Sequence, residues 1–447
     1  MRDKLHLFFN LLLIQSILLT SGCSKSSGVT TSGTGAVSGR WVNTDHLLNR
    51  LYGTTKLAGT GAEVGTIAIY SEAPDYRLVT DEDEGFTCLD DVARAALFVL
   101  REPDLAQNAD KQTKLLRMTE LVLQLQAADG TTGAGYFYNF LWPPDAGGAA
   151  INKTFRTSRN VPDWWSWRAL WYLTEALPYY RQTNPALADR MQTAVQRLVQ
   201  ATVRDFGSRP PDVNVVRGVK VPRWLPYGSG SDQAAIMLLG LTNYQQQTPD
   251  PAVLKLIEQL AEGILLMQQG DAGRFPYGAI LSFENTWHAY GSDQAYALLR
   301  AGRHLNKPDW IAAARREIDQ FYPYLLREGW LESFEVEGRG TDLVRLKASA
   351  FAQIAYGVRP MIWAALEAYE QTRDDRYATL AVQLTRWFTG QNPAGAVMYD
   401  RATGRGYDGI ASATQVNRNA GAESTIEALL AFQRLEQYPQ LLKQMAP

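Results

Sequence analysis

The chain has 447 residues, 46% apolar and 20% charged, which is a globular composition and not a disordered or collagen-like one. Its 44 Lys and Arg against 46 Asp and Glu give a net charge of −2, without the basic footprint that a nucleic-acid partner demands. Two cysteines are too few for a disulfide framework or a Cys-rich zinc site.

Arg2 and Lys4 precede Leu5–Leu19, a mostly apolar run that is short for a bilayer span. The run ends in Leu19-Thr20-Ser21-Gly22-Cys23, which resembles a bacterial lipobox with Thr20 where Leu is usual. The resemblance implies a signal peptide over residues 1–22 and lipid on Cys23. An ordinary secretory signal with an incidental cysteine is the alternative. Either reading exports the chain, and membrane contact is expected only through the anchor. In Ser24–Gly39, 12 of 16 residues are Ser, Thr or Gly, so residues 23–40 read as a flexible tether. Cys88 is then left as a single thiol and reads as a small buried hydrophobe.

From Trp41 to Pro447 the chain reads as one domain of helices, with strand-like alternation short and confined to loops. A unit recurs in which an acidic residue or Gly stands before an Ala/Leu-rich segment. Asp91 opens the first, Asp163 the second, Asp232 the third and Asp293 the fourth. Gly357 and Glu423 mark the fifth and sixth, and successive markers stand 61 to 72 residues apart. Each segment is apolar on nearly all sides, as a buried helix is. The first five are followed by amphipathic helices, expected over Lys111–Ala127, Pro185–Val203, Pro251–Gln269, Asp309–Leu326 and Arg376–Thr389. The partner of the sixth is either Thr44–Leu51 or the tail after Pro439. Six buried and six amphipathic helices predict an all-α (α/α)6 barrel.

The outer-to-inner loops are long, and they share the face where the inner helices begin. Long loops inside a compact domain are usually functional, so this face is the expected active face. The loops are rich in Tyr, Trp and Phe, among them Tyr136, Trp224, Tyr227, Trp287, Tyr290 and Tyr407. Such rings suit the flat C–H faces of sugars, or pack loop onto barrel.

The acidic positions carry the chemistry. Asp90-Asp91 at a buried helix start should raise at least one carboxyl pKa through desolvation and like charge. One raised and one ordinary carboxyl is what glycosidic cleavage requires. The structural alternative has one Asp capping the helix and the other pairing with Arg94 or Arg168. Asp91 is favoured as catalytic because it holds the repeat position of Asp163 and Glu423. Glu423 starts the sixth inner helix, which neighbours the first in a closed ring, so Asp90, Asp91 and Glu423 are the catalytic candidates. For Asp232 and Asp293, capping by Ser231 or Ser292 is the expected arrangement. Asp163, Trp164, Trp165, Arg168, Trp287, His288, Tyr407 and Asn417 are candidate substrate contacts. His288 is the one histidine expected on the active face, too few for a His-based metal site. No phosphate or dinucleotide loop and no Gly-x-Ser-x-Gly elbow is present, so neither a metal nor a cofactor is expected.

These features resemble the six-hairpin glycosidase superfamily of (α/α)6 carbohydrate enzymes. Asp90-Asp91 is similar to the carboxylate pair of bacterial endo-α-1,6-mannanases. Gly390-Gln391-Asn392-Pro393 resembles a Gly-x-Asn-Pro turn late in several (α/α)6 hydrolases. Tyr399-Asp400 through Asn417 to Glu423-Ser424-Thr425 resembles a C-terminal signature of bacterial proteins that accompany sugar-processing enzymes. The resemblance implies an exported, monomeric glycoside hydrolase acting on a poly- or oligosaccharide. The alternatives are a lyase or sugar epimerase, in which His288, Arg156 and Arg159 would matter, and a non-catalytic glycan-binding lipoprotein.

Overall fold

A computed structural model describes residues 39–445; the expected signal peptide, Cys23 and all but the last residues of the expected tether lie outside the described residues. Six helical pairs follow in chain order. Inner α1 (Leu89–Leu100) precedes outer α2 (Ala109–Gln124), and α3 (Trp164–Thr183) precedes α4 (Pro185–Phe206). Next come α5 (Ser231–Gln247) with α6 (Pro251–Leu266), and α7 (Gln294–His304) with α8 (Pro308–Arg316) and α9 (Tyr322–Glu328). The last are α10 (Arg359–Thr372) with α11 (Asp375–Thr385), and α12 (Ala422–Leu435) with the short α13 (Pro439–Leu442).

Each inner helix packs on the next, and α12 returns to α1, which closes the ring of an (α/α)6 barrel. The inner helices are apolar all round because they meet neighbours on every side. In α5 the run Ala234–Leu239 is buried throughout. Gly240 continues it where a Cβ would stand 2.6 Å from Leu170 Cγ, so its missing side chain is what lets α5 approach α3. The outer helices bury one stripe. In α6 that stripe is Val253, Leu256, Ile257, Leu260 and Ile264, and Asp250 caps its start by accepting from the Ala252 N–H at 2.8 Å.

The fourth outer element departs from the single helix expected. A π-helical turn at Glu317–Phe321 separates α8 from α9. The sixth outer position is shared. A π-helical turn, His46–Leu51, buries Leu47, Leu48 and Leu51 and packs on α12, as does α13. Strands are confined to the segments leading into the inner helices. They form two-stranded antiparallel sheets, most of them hairpins but one pairing Thr87–Cys88 with Phe140–Leu141 across α1 and α2, and one three-stranded sheet, Thr286–His288, Ser333–Arg339 and Asp342–Ser349. No helix among the described residues is long and apolar enough to cross a membrane.

Candidate active site

The floor of the barrel mouth begins at α1. Cys88 caps this helix: its sulfur accepts the Asp91 N–H at 3.4 Å, and its thiol donates to Asp91 Oδ2 at 3.1 Å. The buried hydrophobe expected at Cys88 is therefore also a capping group. One helical turn on, Arg94 folds back over the pair, with Nη2 2.8 Å from Asp90 Oδ2 and 2.7 Å from Asp91 Oδ1. The same guanidinium crosses the ring closure to α12. It lies 3.2 Å from Glu423 Oε2 and 3.0 Å from Glu427 Oε1, two residues one turn apart on one helix face.

The network continues round the ring. Glu427 Oε2 meets Arg359 Nε of α10 at 2.5 Å, and Arg359 Nη1 meets Asp293 at the start of α7 at 2.5 Å. Arg168 of α3 reaches Asp90 Oδ1 at 3.3 Å and donates to the Tyr356 hydroxyl. The Arg94, Arg168 and Arg359 guanidiniums lie 5.2, 4.9 and 5.4 Å from the centre of the Tyr356 ring. Tyr290 meets that ring edge-on at 4.5 Å. Most of these side chains are sealed from solvent. The exceptions are Tyr290, which is half-buried, and the carboxylates Asp90, 16% exposed, and Glu423, 35% exposed, which open to the mouth.

Burial, reinforced by the Asp91, Glu427 and Asp90 charges and opposed by Arg94, pushes the Glu423 carboxyl up to about 7. Burial also raises Asp91, with Arg94 opposing it and the Asp90 charge adding to it. Burial acts in the same sense on Glu427, but Arg359, Arg94 and Arg168 outweigh it and hold that carboxyl below its ordinary value. The floor therefore sets an ionised Glu427 beneath a Glu423 that gains and loses its proton near neutrality. Because Asp90 and Glu423 each bind Arg94 Nη2, their nearest oxygens are at most the sum of the two bond lengths, about 6 Å, apart.

The structure thus brings Asp90, Asp91 and Glu423 together, as the ring argument anticipated. Of the structural alternative for the Asp pair, the ion pairing is found, since both members meet Arg94 and Asp90 also meets Arg168, but neither Asp caps the helix, because Cys88 does. Asp91, buried and tied to Cys88 and Arg94, does not open to the mouth. The serine caps are not found. Ser231 donates to the Leu281 carbonyl at 2.6 Å, 50 residues on, and Ser292 to that of Ala289 at 2.8 Å, three residues back, so each hydroxyl is turned to a carbonyl outside the helix. Asp293 is spent on Arg359, while Asp232 accepts its neighbour's Gln233 N–H at 2.7 Å and faces His288 Nε2 at 3.2 Å.

The expected substrate contacts divide. Trp164 is half-buried, edge-on to Tyr290 at 5.9 Å with Arg168 over its ring. Trp165 is buried, its indole N–H donating to the Phe137 carbonyl at 2.6 Å. Trp287 is buried too, stacked on Phe334 at 5.3 Å by the register that pairs their strands. Neither Trp165 nor Trp287 offers a face to the mouth, because loop-to-barrel packing consumes both. Asp163 is buried and caps α3 by accepting the Trp164 N–H at 2.8 Å. His288 is buried, its Nδ1 2.8 Å from the Tyr290 carbonyl. Arg168 lies under the floor, and its Nη1 has no hydrogen-bond partner among the described residues. Tyr407 packs beneath the Arg418 guanidinium at 5.3 Å, and the Asn417 amide oxygen accepts the Asn419 N–H at 3.0 Å. These last two shape the approach to α12. There Asp408, from another segment, supplies the missing cap by accepting the Gly421 N–H at 3.0 Å.

Sequence reasoning missed Glu427, Arg359 and Tyr356. The signal was present: Glu423 and Glu427 stand four apart, and Arg359 follows two residues after Gly357, the marker of the one repeat without an acid there. Among the described residues no group of three or more His, Cys, Asp or Glu is placed to hold a metal ion.

No family model matches the chain, and no curated protein sequence matches it. Solved structures do match. The cellobiose 2-epimerase of Bacillus thermoamylovorans aligns with a TM-score of 0.54 at 12% identity, over 83% of this chain and 92% of its own. A D-mannose isomerase aligns with a TM-score of 0.52 at 13% identity, over 85% and 91%. A polysaccharide lyase aligns with a TM-score of 0.51 at 10% identity, over 79% and 91%. At these identities the likeness is one of fold, the (α/α)6 barrel.

Proposed function

We propose that this chain is an exported enzyme that hydrolyses glycosidic bonds of a poly- or oligosaccharide, with Glu423 and Asp90 as its working carboxylates. The observation that carries the reading is the pair itself. Both open to the mouth, both lie on one guanidinium within about 6 Å, and Glu423 sits at about 7. That bound admits the roughly 5–5.5 Å carboxyl separation of a retaining reaction, the course proposed here. Glu423 then gives its proton to the leaving oxygen as the glycosidic C–O bond breaks, and Asp90 attacks the anomeric carbon to form an ester. Water, deprotonated by Glu423, hydrolyses that ester and restores both groups. Asp91 and Glu427 position Arg94, which holds the reacting pair. The solved structures similar in fold include enzymes named for sugar substrates, which supports a carbohydrate. Export and anchoring rest on the residues up to Cys23.

One observation favours a second reading. The buried His288–Asp232 pair on the mouth face is a proton-moving couple of the kind an epimerase or lyase uses. A panel of neutral and acidic glycans separates the two. Hydrolysis releases reducing ends alone, lyase action adds absorbance at 235 nm, and epimerisation changes the sugar without new ends. On the substrate found, Glu423→Gln and Asp90→Asn should each lower turnover roughly 10²–10⁴-fold. Near-wild-type turnover in both would overturn the assignment.

A further inference from the structure

The loop between α4 and α5 holds a side chain that the chemistry above does not use. Tyr227 is 58% exposed, the one aromatic among the exposed large apolar side chains of the described residues. Its backbone lies in the left-handed region at φ 53°, where bulky residues are rare. The turn around it is fixed, because Leu225 and Gly228 exchange backbone hydrogen bonds at 2.9 and 3.0 Å. The ring is fixed as well. Its hydroxyl donates to Asp163 Oδ2 at 2.5 Å, and Asp163 Oδ1 accepts from Gln233 in the first turn of α5 at 3.0 Å. A ring tied at its polar tip, with its face left bare, costs free energy in the free protein unless something covers that face.

Asp163 adjoins Trp164, whose ring lies beside Arg168, which contacts Asp90. Tyr227 thus stands on the active face, separated from the reacting carboxylates by a row of side chains. We propose that Tyr227 is a sugar-stacking residue of an outlying subsite, pre-set by Asp163, so that the substrate is a glycan chain with an uncharged ring face there. This rests on the carbohydrate reading above. Asp163 is then a positioning residue: it aims Tyr227 and does not touch sugar.

The test uses linear gluco-, manno- and xylo-oligosaccharides of two to six units with the wild type, Tyr227→Ala, Tyr227→Phe and Asp163→Asn. For the series that is cleaved, Tyr227→Ala should raise KM for the hexasaccharide about tenfold, the loss of one aromatic contact, with a penalty that shrinks as the chain shortens. Tyr227→Phe and Asp163→Asn, which keep the ring and loosen its anchor, should give smaller rises. A merely structural tyrosine would lower the thermal midpoint in Tyr227→Ala and Tyr227→Phe alike and leave the hexasaccharide KM unchanged. That result, or an equal penalty at every length, overturns the proposal while hydrolysis by the wild type keeps the functional reading. If the wild type cleaves nothing, the hydrolase reading fails, and calorimetric binding of the same hexasaccharides still decides. Equal binding by wild type and Tyr227→Ala, or none by either, overturns the subsite.

Discussion

At the scale of single residues, the role proposed for Glu423 ties pH to activity, and its raised carboxyl ties pH to stability. Its carboxyl, pushed up to about 7, is a proton donor only below that value. Turnover should therefore fall as pH rises through 7, and a pH–rate profile of kcat checks this. Its ordinary value is 4.5, so between about 4.5 and 7 the folded state binds this proton more tightly than the unfolded chain. Stability contributed by the group is complete at the acid end of that window and lost as pH rises through it. Glu423→Gln stays neutral throughout, so its denaturation midpoint should vary less between pH 5 and pH 8 than the wild type's. The Asp pair and Glu423 were legible in the sequence because repeat position and helix-start chemistry act locally. Tyr356 and Arg359 were not, because their roles come from partners on other helices, and one repeat unit alone does not show what its neighbour presents.

At the scale of elements, α10 is joined to the ring by Arg359, whose two acidic partners, Asp293 and Glu427, are fully buried. Arg359→Met leaves both carboxylates without that partner in low dielectric, at a cost of about 3–5 kcal/mol. Urea denaturation should show the midpoint fall, and Asp293→Asn with Glu427→Gln in the same background should recover part of it. The inner helices were readable because burial on all sides leaves unbroken Ala/Leu runs, and the outer ones because one-sided burial gives a 3.6-residue stripe. The break at Glu317–Phe321 was not readable. The stripe runs on through the π-turn, where Glu317 leaves the helix pattern to accept the Ile280 N–H at 2.8 Å from a hairpin. Of the serine caps, Ser231 failed for the same reason, since its acceptor Leu281 lies 50 residues on, whereas Ser292 turns back to Ala289 only three residues before it.

At the scale of the whole molecule, the N-terminal segment clasps the last inner helix. Glu436 accepts the backbone N–H groups of Trp41 and Val42 and pairs with Arg40 at 2.8 Å, while Trp41 stacks on Phe432 at 5.1 Å. Glu436→Ala removes every one of those Glu436 bonds, at a cost of about 1–3 kcal/mol. Trypsin should then cut after Arg40 several-fold faster than in the wild type, as mass spectrometry of a limited digest would show. The closed ring was legible in the spacing of the repeats, but which terminus fills the sixth outer place was not, and both do. Ring closure also sets an order in time. Arg94 leaves the ribosome 329 residues before Glu423, the partner that α12 brings to it. Until α12 is synthesised, Arg94 lacks its partners across the closure, so its guanidinium cannot reach its full set of four carboxylates.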